Sequence, residues 1–143
     1  MRKHQATIQG RGNRRLGWRL VPAALYLALI HLASSGNPEN MGISFAEGVD
    51  KIAHLFEFGL LALLFWRPLR DAVPASPEMK AAAVLLVFVA ANGIIDEFHQ
   101  SFIPGRESSW ADGAADFVGG ALAITWLLHR EKARPTASGS GAM

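Results

Sequence analysis

Apolar residues fall in four blocks along the chain, and the charged residues fall mostly between them. The blocks run over residues 18–34, 52–66, 81–102 and 110–128. A helix needs ~20 largely apolar residues to cross the ~30 Å hydrocarbon core of a bilayer. The second block reaches that length only if its helix begins near Val49. The pattern therefore predicts an all-α integral membrane protein built as a bundle of four transmembrane helices.

The distribution of Lys and Arg predicts how the helices are oriented, because cytoplasmic loops collect positive charge. Residues 35–49 carry no Lys or Arg, and residues 101–109 carry only Arg106. Both termini are therefore expected in the cytoplasm. A secretory signal peptide is the alternative for the first block, but no small-x-small cleavage site precedes a soluble mature domain. The remaining juxtamembrane basic residues are Arg2, Lys3, Arg11, Arg14, Arg15, Arg67, Arg70, Lys80, Arg130, Lys132 and Arg134.

These patterns divide the chain into three parts. A basic cytoplasmic N-terminal tail is expected over residues 1–15, a four-helix transmembrane domain over 16–130 and a disordered cytoplasmic C-terminal tail over 131–143. The last nine residues, PTASGSGAM, are too small and polar to bury a core. The chain has no cysteine, which excludes disulfides and thiolate metal sites. Nucleic-acid binding is not expected, since membrane topology and anionic lipid already account for the basic residues.

Small residues are expected at the contacts between helices. Lipid provides no hydrophobic drive for helix association, so close backbone packing takes its place. The candidates are Ala90, Ala91 and Gly93 on the third helix and Ala115, Gly119 and Gly120 on the fourth.

Polar residues recur inside the apolar blocks, where a charge costs ~2.5–3.5 kcal/mol on insertion scales. Their spacing by three or four places them on one face of each helix. With the predicted topology, all three stripes meet in the outer half of the membrane and line one cavity, with Arg106 on the adjoining turn. The stripes comprise Asp50, His54 and Glu57; Asn92, Asp96 and Gln100, with His99 beside them; and Ser108, Asp112 and Asp116. Lys51, Glu97 and Ser109 are polar neighbours of these stripes.

Two segments of the chain resemble the VanZ-like family of small bacterial membrane proteins. They are DKIAHLFEF at residues 50–58 and DEFHQSFIPGRESSWADGAADFVGG at residues 96–120. The family usually has Asn where this chain has Asp116, which adds a further carboxylate to the pattern. The resemblance implies a place in the bacterial plasma membrane and a role in the cell envelope, because the family is named for a member associated with resistance to teicoplanin. The matching positions are Asp50, Lys51, His54, Asp96, Glu97, Gln100, Arg106, Ser109, Asp112, Asp116 and Gly119.

One hypothesis makes the polar cavity a site that binds or acts on an anionic envelope molecule, such as a lipid-linked cell-wall precursor. Arg106 would hold the anionic group by paired hydrogen bonds. His54, assisted by Asp50 or Glu57, would act as general acid or base. The catalytic candidates are His54, Asp96, Glu97, Arg106 and Asp112; the substrate-binding candidates are Asp50, Lys51, Gln100, Arg106, Ser109 and Asp116.

A divalent metal is a further option for the same cavity. Oxygen-rich ligand sets suit Mg²⁺, Ca²⁺ or Mn²⁺, and an added imidazole allows Zn²⁺. The candidate ligands are His54, Asp96, Glu97 and Asp112, although the chain has no H-E-x-x-H motif.

The alternative hypothesis is non-catalytic. Asp and Glu would pair with Arg106, Lys51 and the histidines in a network that locks the bundle together. His31, near the outer end of the first helix, is expected to be structural. The protein would then act by binding lipid or another membrane protein. A through-membrane proton pathway is disfavoured, because only Thr125 is polar in the inner halves of the last three helices.

Overall fold

The computed structural model describes residues 2–36, 48–73, 77–106 and 108–133, with side chains from Leu16 onward. Within these ranges the chain forms four helices and no strand: α1 (Arg2–Ser34), α2 (Val49–Ala72), α3 (Glu78–Gln100) and α4 (Trp110–Lys132). Each helix contains a stretch long and apolar enough to cross a membrane, which in α1 is Leu16–Ser34. The predicted all-α, four-helix membrane fold is confirmed.

The ends of the helices follow local sequence signals. Gly48, with φ of 88°, precedes α2, so that helix begins at the predicted Val49 and includes the first polar residues. Ser109 caps α4, its Oγ accepting a hydrogen bond from the Ala111 N–H at 3.2 Å.

α1 begins well before its apolar block, so residues 2–15, expected as a basic N-terminal tail, extend the helix. These residues contain no proline that would stop the helix. At the other terminus, residues 134–143 of the predicted disordered tail lie outside the described residues.

The bundle is apolar both inside and outside. Its core contains the fully buried side chains of Phe58, Leu61, Trp66, Leu85 and Val89. Large apolar side chains also cover the outer surface of all four helices, as expected for contact with lipid hydrocarbon. Examples of exposed apolar residues are Leu25, Leu29, Phe56, Ile52, Val84, Val87, Ile94, Phe98 and Leu122.

Glycines allow α4 to approach its two neighbours closely. A Cβ built on Gly119 would overlap the Leu55 carbonyl oxygen and lie 2.8 Å from the carbonyl carbon. A Cβ on Gly120 would lie 2.5 Å from Val89 Cγ1 on α3. A Cβ on Gly59 of α2 would lie 3.3 Å from the Gly119 carbonyl oxygen. Backbone-to-backbone contact of this kind is typical of transmembrane helices that pack through small residues.

Polar contacts also close the end of the bundle where α2 and α4 finish. The Trp66 indole Nε1–H donates to Glu131 Oε1 at 2.8 Å. Arg19 of α1 pairs with Asp71 of α2. The Arg130 guanidinium lies 4.7 Å from the centre of the Trp126 ring. This end therefore carries basic residues and is distinct from the end that holds most of the predicted site.

Candidate functional site

The predicted polar stripes do meet at one end of the bundle. α1 and α3 finish at this end, whereas α2 and α4 begin there. Three contacts between helices show the convergence: His31 with Asp96, Lys51 with Asp112, and His54 with Asp116. The stripes that periodicity placed on separate helices therefore form one connected polar region.

A buried histidine–carboxylate pair lies at the centre of this region. His54 Nδ1 and Asp116 Oδ1 are 2.9 Å apart, and both side chains are buried. Asp116 Oδ2 has no hydrogen-bond partner among the described residues. Gly93 on α3 leaves room for this carboxylate, since a Cβ there would lie 2.9 Å from Asp116 Oδ2. The sequence predicted His54 as the acid–base residue but assigned its support to Asp50 or Glu57.

Glu97 joins the pair from α3. Its Oε2 accepts the Ser109 backbone N–H at 2.7 Å, which satisfies an amide at the start of α4. Its Oε1 is buried and has no partner in the described part of the chain. One ligand atom from each of His54, Glu97 and Asp116 lies within 4.8 Å of the other two. We call these three residues the His54 cluster.

Lys51 lies between two carboxylates at the edge of the region. Its Nζ is 2.9 Å from Asp50 Oδ2 and 3.1 Å from Asp112 Oδ1. Lys51 and Asp50 are partly exposed, whereas Asp112 is buried. The three residues carry a net charge of −1 when ionised, so the Lys51 charge is already balanced by its neighbours.

Asp96 connects α1 to α3 and has no acceptor oxygen to spare. Its Oδ2 accepts hydrogen bonds from Ser34 Oγ at 2.9 Å and from Gln100 Nε2 at 2.7 Å, and its Oδ1 is 3.2 Å from His31 Nδ1. The expectation that His31 is structural fits this contact. Ser34 was missed, although its position three residues after His31 places both on one face of α1.

Arg106 serves as a cap for α1. Its Nε donates to the Gly36 carbonyl at 3.1 Å and its Nη2 to the Ala33 carbonyl at 3.0 Å. Cations are favourable beside the carbonyls that end a helix. Among the described residues, no carboxylate lies within 4.0 Å of Arg106. Its charge is therefore not neutralised there, while part of its hydrogen-bonding fork is already occupied.

The His54 cluster, whose side chains could hold a metal ion, differs from the set of metal ligands expected from the sequence. Asp96 instead contacts His31 and Ser34 of α1 and Gln100 of its own helix. Asp112 pairs with Lys51. Asp116, expected to bind substrate, takes the place beside His54 and Glu97. The difference arises because adjacent residues on one helix point about 100° apart, so Asp96 and Glu97 reach different neighbours.

The fold and the polar region define a class: a multi-pass membrane protein with a buried histidine–carboxylate cluster at one end of a four-helix bundle. The family model described as VanZ/LLP1 matches residues 3–129. The chain therefore belongs to the VanZ/LLP1 family. Comparison with curated proteins and with solved structures gave no significant match.

Proposed function

We propose that this protein binds an anionic, lipid-linked molecule of the bacterial cell envelope and acts on it at the outer face of the plasma membrane. In this proposal both termini are cytoplasmic, and His54 exchanges a proton with the substrate. The family supports the link to the envelope, and the proposed phenotype is altered susceptibility to teicoplanin. Other proposed partners are membrane lipid and a second membrane protein.

The buried pair of His54 and Asp116 is the observation that carries the proposal. A carboxylate bound to one imidazole nitrogen fixes the orientation of the ring and stabilises its charged form. Since Asp116 bonds Nδ1, the other ring nitrogen is the one available for substrate. No described residue forms a hydrogen bond with His54 Nε2. Proton transfer by a positioned histidine typically contributes ~10²–10⁴-fold to a reaction rate.

Arg106 is the proposed anion-binding residue, whereas Lys51 is already paired with Asp50 and Asp112. Arg106 keeps N–H groups beyond the two that cap α1, and its charge has no carboxylate partner among the described residues. Guanidinium groups recognise phosphate and carboxylate in paired geometry. A lipid-linked substrate fits a site in a bundle whose outer surface is apolar, because its tail can remain in the bilayer.

The proposed orientation rests on charge. Arg19, Arg67, Arg70, Arg130 and Lys132 lie on the halves of their helices remote from the His54 cluster. Basic residues flanking transmembrane helices favour the cytoplasm. A fusion of alkaline phosphatase after Met143 should be inactive in cells, and a green fluorescent protein fusion should fluoresce. The reverse result would overturn the orientation and place the cluster at the inner face.

Binding can be tested with purified full-length protein in mild detergent. The probes are a polyprenyl phosphate and the uncharged polyprenol of the same length. Arg106→Gln should weaken binding of the phosphate by more than about tenfold, since the loss of a charge-assisted hydrogen bond costs about 1.5–3 kcal/mol. Arg130→Gln, which removes a basic residue at the other end, is the matched control. Equal affinity for both probes, or equal loss in both variants, would reject the proposed anion site.

The acid–base role is tested in cells. His54→Gln should retain phosphate binding in detergent and abolish the change in teicoplanin susceptibility that the wild-type chain produces on expression. Membrane abundance of the variant is measured in parallel. A His54→Gln protein of normal abundance with the full phenotype would rule out proton transfer by His54.

A structural network is the second candidate function, and the contacts of Asp96 support it. This buried carboxylate has its partners inside the protein, which is what a network that locks two helices together requires. Under this alternative, His54→Gln would lower thermal stability, because the buried Asp116 carboxylate would lose its partner. Removing one member of a buried ion pair costs ~3–5 kcal/mol. Loss of stability and membrane abundance, with a phenotype that falls only in proportion to the protein that remains, would favour the structural role.

A further inference from the structure

We infer that His54, Glu97 and Asp116 form a binding site for a divalent transition-metal ion, of the Zn²⁺ or Mn²⁺ type. The inference deepens the proposed function and rests on it for the role of the ion, which would polarise the anionic substrate or activate a water molecule. With the ion bound, His54 would be a ligand, and the activated water would replace it as the group that exchanges a proton with the substrate. Binding of the ion itself is independent of any substrate. It can therefore be tested separately.

The positions of the ligand atoms are the first support. One ligand atom from each residue lies within 4.8 Å of the others, and the three come from three different helices. Nitrogen and oxygen ligands lie ~2.0–2.2 Å from zinc, which places them ~3.3 Å from one another in a tetrahedral site. The distances between these atoms must therefore contract by about 1.5 Å at most, which is within the range of small side-chain rotations.

Two unpartnered oxygens are the second, independent support. Glu97 is 9% exposed and Asp116 is fully buried, yet Glu97 Oε1 and Asp116 Oδ2 have no hydrogen-bond partner in the described ranges. Buried polar atoms are nearly always satisfied, so each exception calls for a missing partner. In both residues the other oxygen is already used, by Ser109 and by His54 respectively. A single cation accounts for both free oxygens at once.

The charge of the cluster also matches a divalent ion. A histidine that binds a metal is neutral, so with two ionised carboxylates the metal-binding form of the cluster carries −2. The nearest lysine in the region, Lys51, is paired with Asp50 and Asp112. No Lys or Arg of the described chain lies within 4.0 Å of Glu97 or Asp116. A mixed set of one nitrogen and two oxygens favours Zn²⁺ or Mn²⁺ over Mg²⁺ and Ca²⁺, which prefer oxygen alone.

The test uses full-length, untagged protein in mild detergent, stripped with EDTA and dialysed. ZnCl₂, MnCl₂ and MgCl₂ are each titrated while the unfolding temperature and bound metal are measured. Zn²⁺ or Mn²⁺ should bind at one ion per chain and raise the unfolding temperature. Glu97→Gln and Asp116→Asn keep the shape of the side chain and should weaken metal binding by more than about tenfold. Even the loss of a residue that only hydrogen-bonds a metal ligand typically lowers the affinity by that much.

Glu131→Gln is the matched control, because Glu131 is a carboxylate at the other end of the bundle, where it accepts a hydrogen bond from the Trp66 indole. Its affinity for the metal should stay close to that of the wild type. No binding by wild-type protein, or equal affinity in Glu97→Gln, Asp116→Asn and Glu131→Gln, would overturn the metal site. Retention of polyprenyl phosphate binding by metal-free protein would then show that the proposed function survives without it. Metal bound as expected, with no phosphate binding under any condition, would support the ion and reject the substrate.

Discussion

Replacing Gly119 with alanine should force α4 away from α2 close to the candidate site. A Cβ on Gly119 would overlap the Leu55 carbonyl oxygen and lie 2.8 Å from the carbonyl carbon and 3.0 Å from Cα. These are backbone atoms of a helix, so they cannot rotate out of the way. Ordinary contact begins at 3.4 Å, so the two helices must separate locally by at least about 0.6 Å.

The energetic cost of this change can be bracketed. Overpacking a well-packed contact costs ~1–3 kcal/mol, whereas alanine in place of glycine inside a helix gains ~0.8–1.0 kcal/mol. The same separation stretches the contact between His54 and Asp116, because His54 precedes Leu55 and Asp116 lies one turn before Gly119. A 0.6 Å movement would lengthen that 2.9 Å bond to about 3.5 Å, beyond the usual range for N–H···O bonds. We therefore expect a net loss of about 1–2 kcal/mol or more.

Thermal unfolding of full-length protein in detergent, followed by tryptophan fluorescence, measures the effect. Gly113→Ala on the same helix is the matched control, because a Cβ there meets only Glu97 Cγ, at the ordinary distance of 3.7 Å. Gly113→Ala should be as stable as the wild type or slightly more stable. If Gly119→Ala unfolds at the same temperature as Gly113→Ala, then α2 and α4 do not pack this closely at Gly119, and this contact does not position His54.

Three further variants test the polar contacts by the same unfolding measurement. Ser109→Ala removes the cap of α4 and should destabilise the protein by about 0.5–2 kcal/mol, with Ser109→Asp restoring most of the loss. Trp66→Phe removes the hydrogen bond to Glu131 and should cost about 1–3 kcal/mol, whereas Trp126→Phe, at a half-exposed residue, should have a smaller effect. Asp96→Ala leaves its donors without an acceptor, which should destabilise the protein by about 1–3 kcal/mol for each buried donor. The end of α1 should also be cleaved faster by protease, and unchanged cleavage would argue against the α1–α3 link.

The fold was predictable from the sequence because lipid imposes one simple requirement on a spanning segment. A helix that crosses the bilayer must be long and apolar, and the four blocks meet that condition. The start of α2 at Val49 was predictable for the same reason, since a shorter helix would not span. The start of α1 at Arg2 was not, because outside the membrane the length rule no longer applies and helix propensity alone is a weak guide.

The location of the candidate site could be predicted from the sequence, whereas the side chains that pair within it could not. Periodicity gave the faces of α2, α3 and α4, and alternating topology brought their polar ends together. Which residue meets His54 depends on how far α2 and α4 are rotated about their axes where they cross. That rotation is set by the fit of Gly59 and Gly119 between the two helices. Within one helix, Asp50 and Glu57 were as close to His54 in sequence as any acid, yet Asp116 from another helix forms the bond.

Residue type alone could not separate ligands from caps, because both use the same donors and acceptors. Arg106 and Ser109 belong to one motif, and each uses hydrogen-bonding groups to cap the end of a helix. Asp96 and Glu97 are neighbours in the sequence, yet the first has no oxygen to spare while the second keeps one free. A binding group is therefore distinguished by the hydrogen-bonding atoms that remain unpaired once the contacts within the fold have formed. Three buried carboxylate oxygens of the described region have no hydrogen bond, and one of them, Asp112 Oδ1, lies 3.1 Å from the Lys51 ammonium. The other two belong to Glu97 and Asp116, so experiments on function should begin with the His54 cluster.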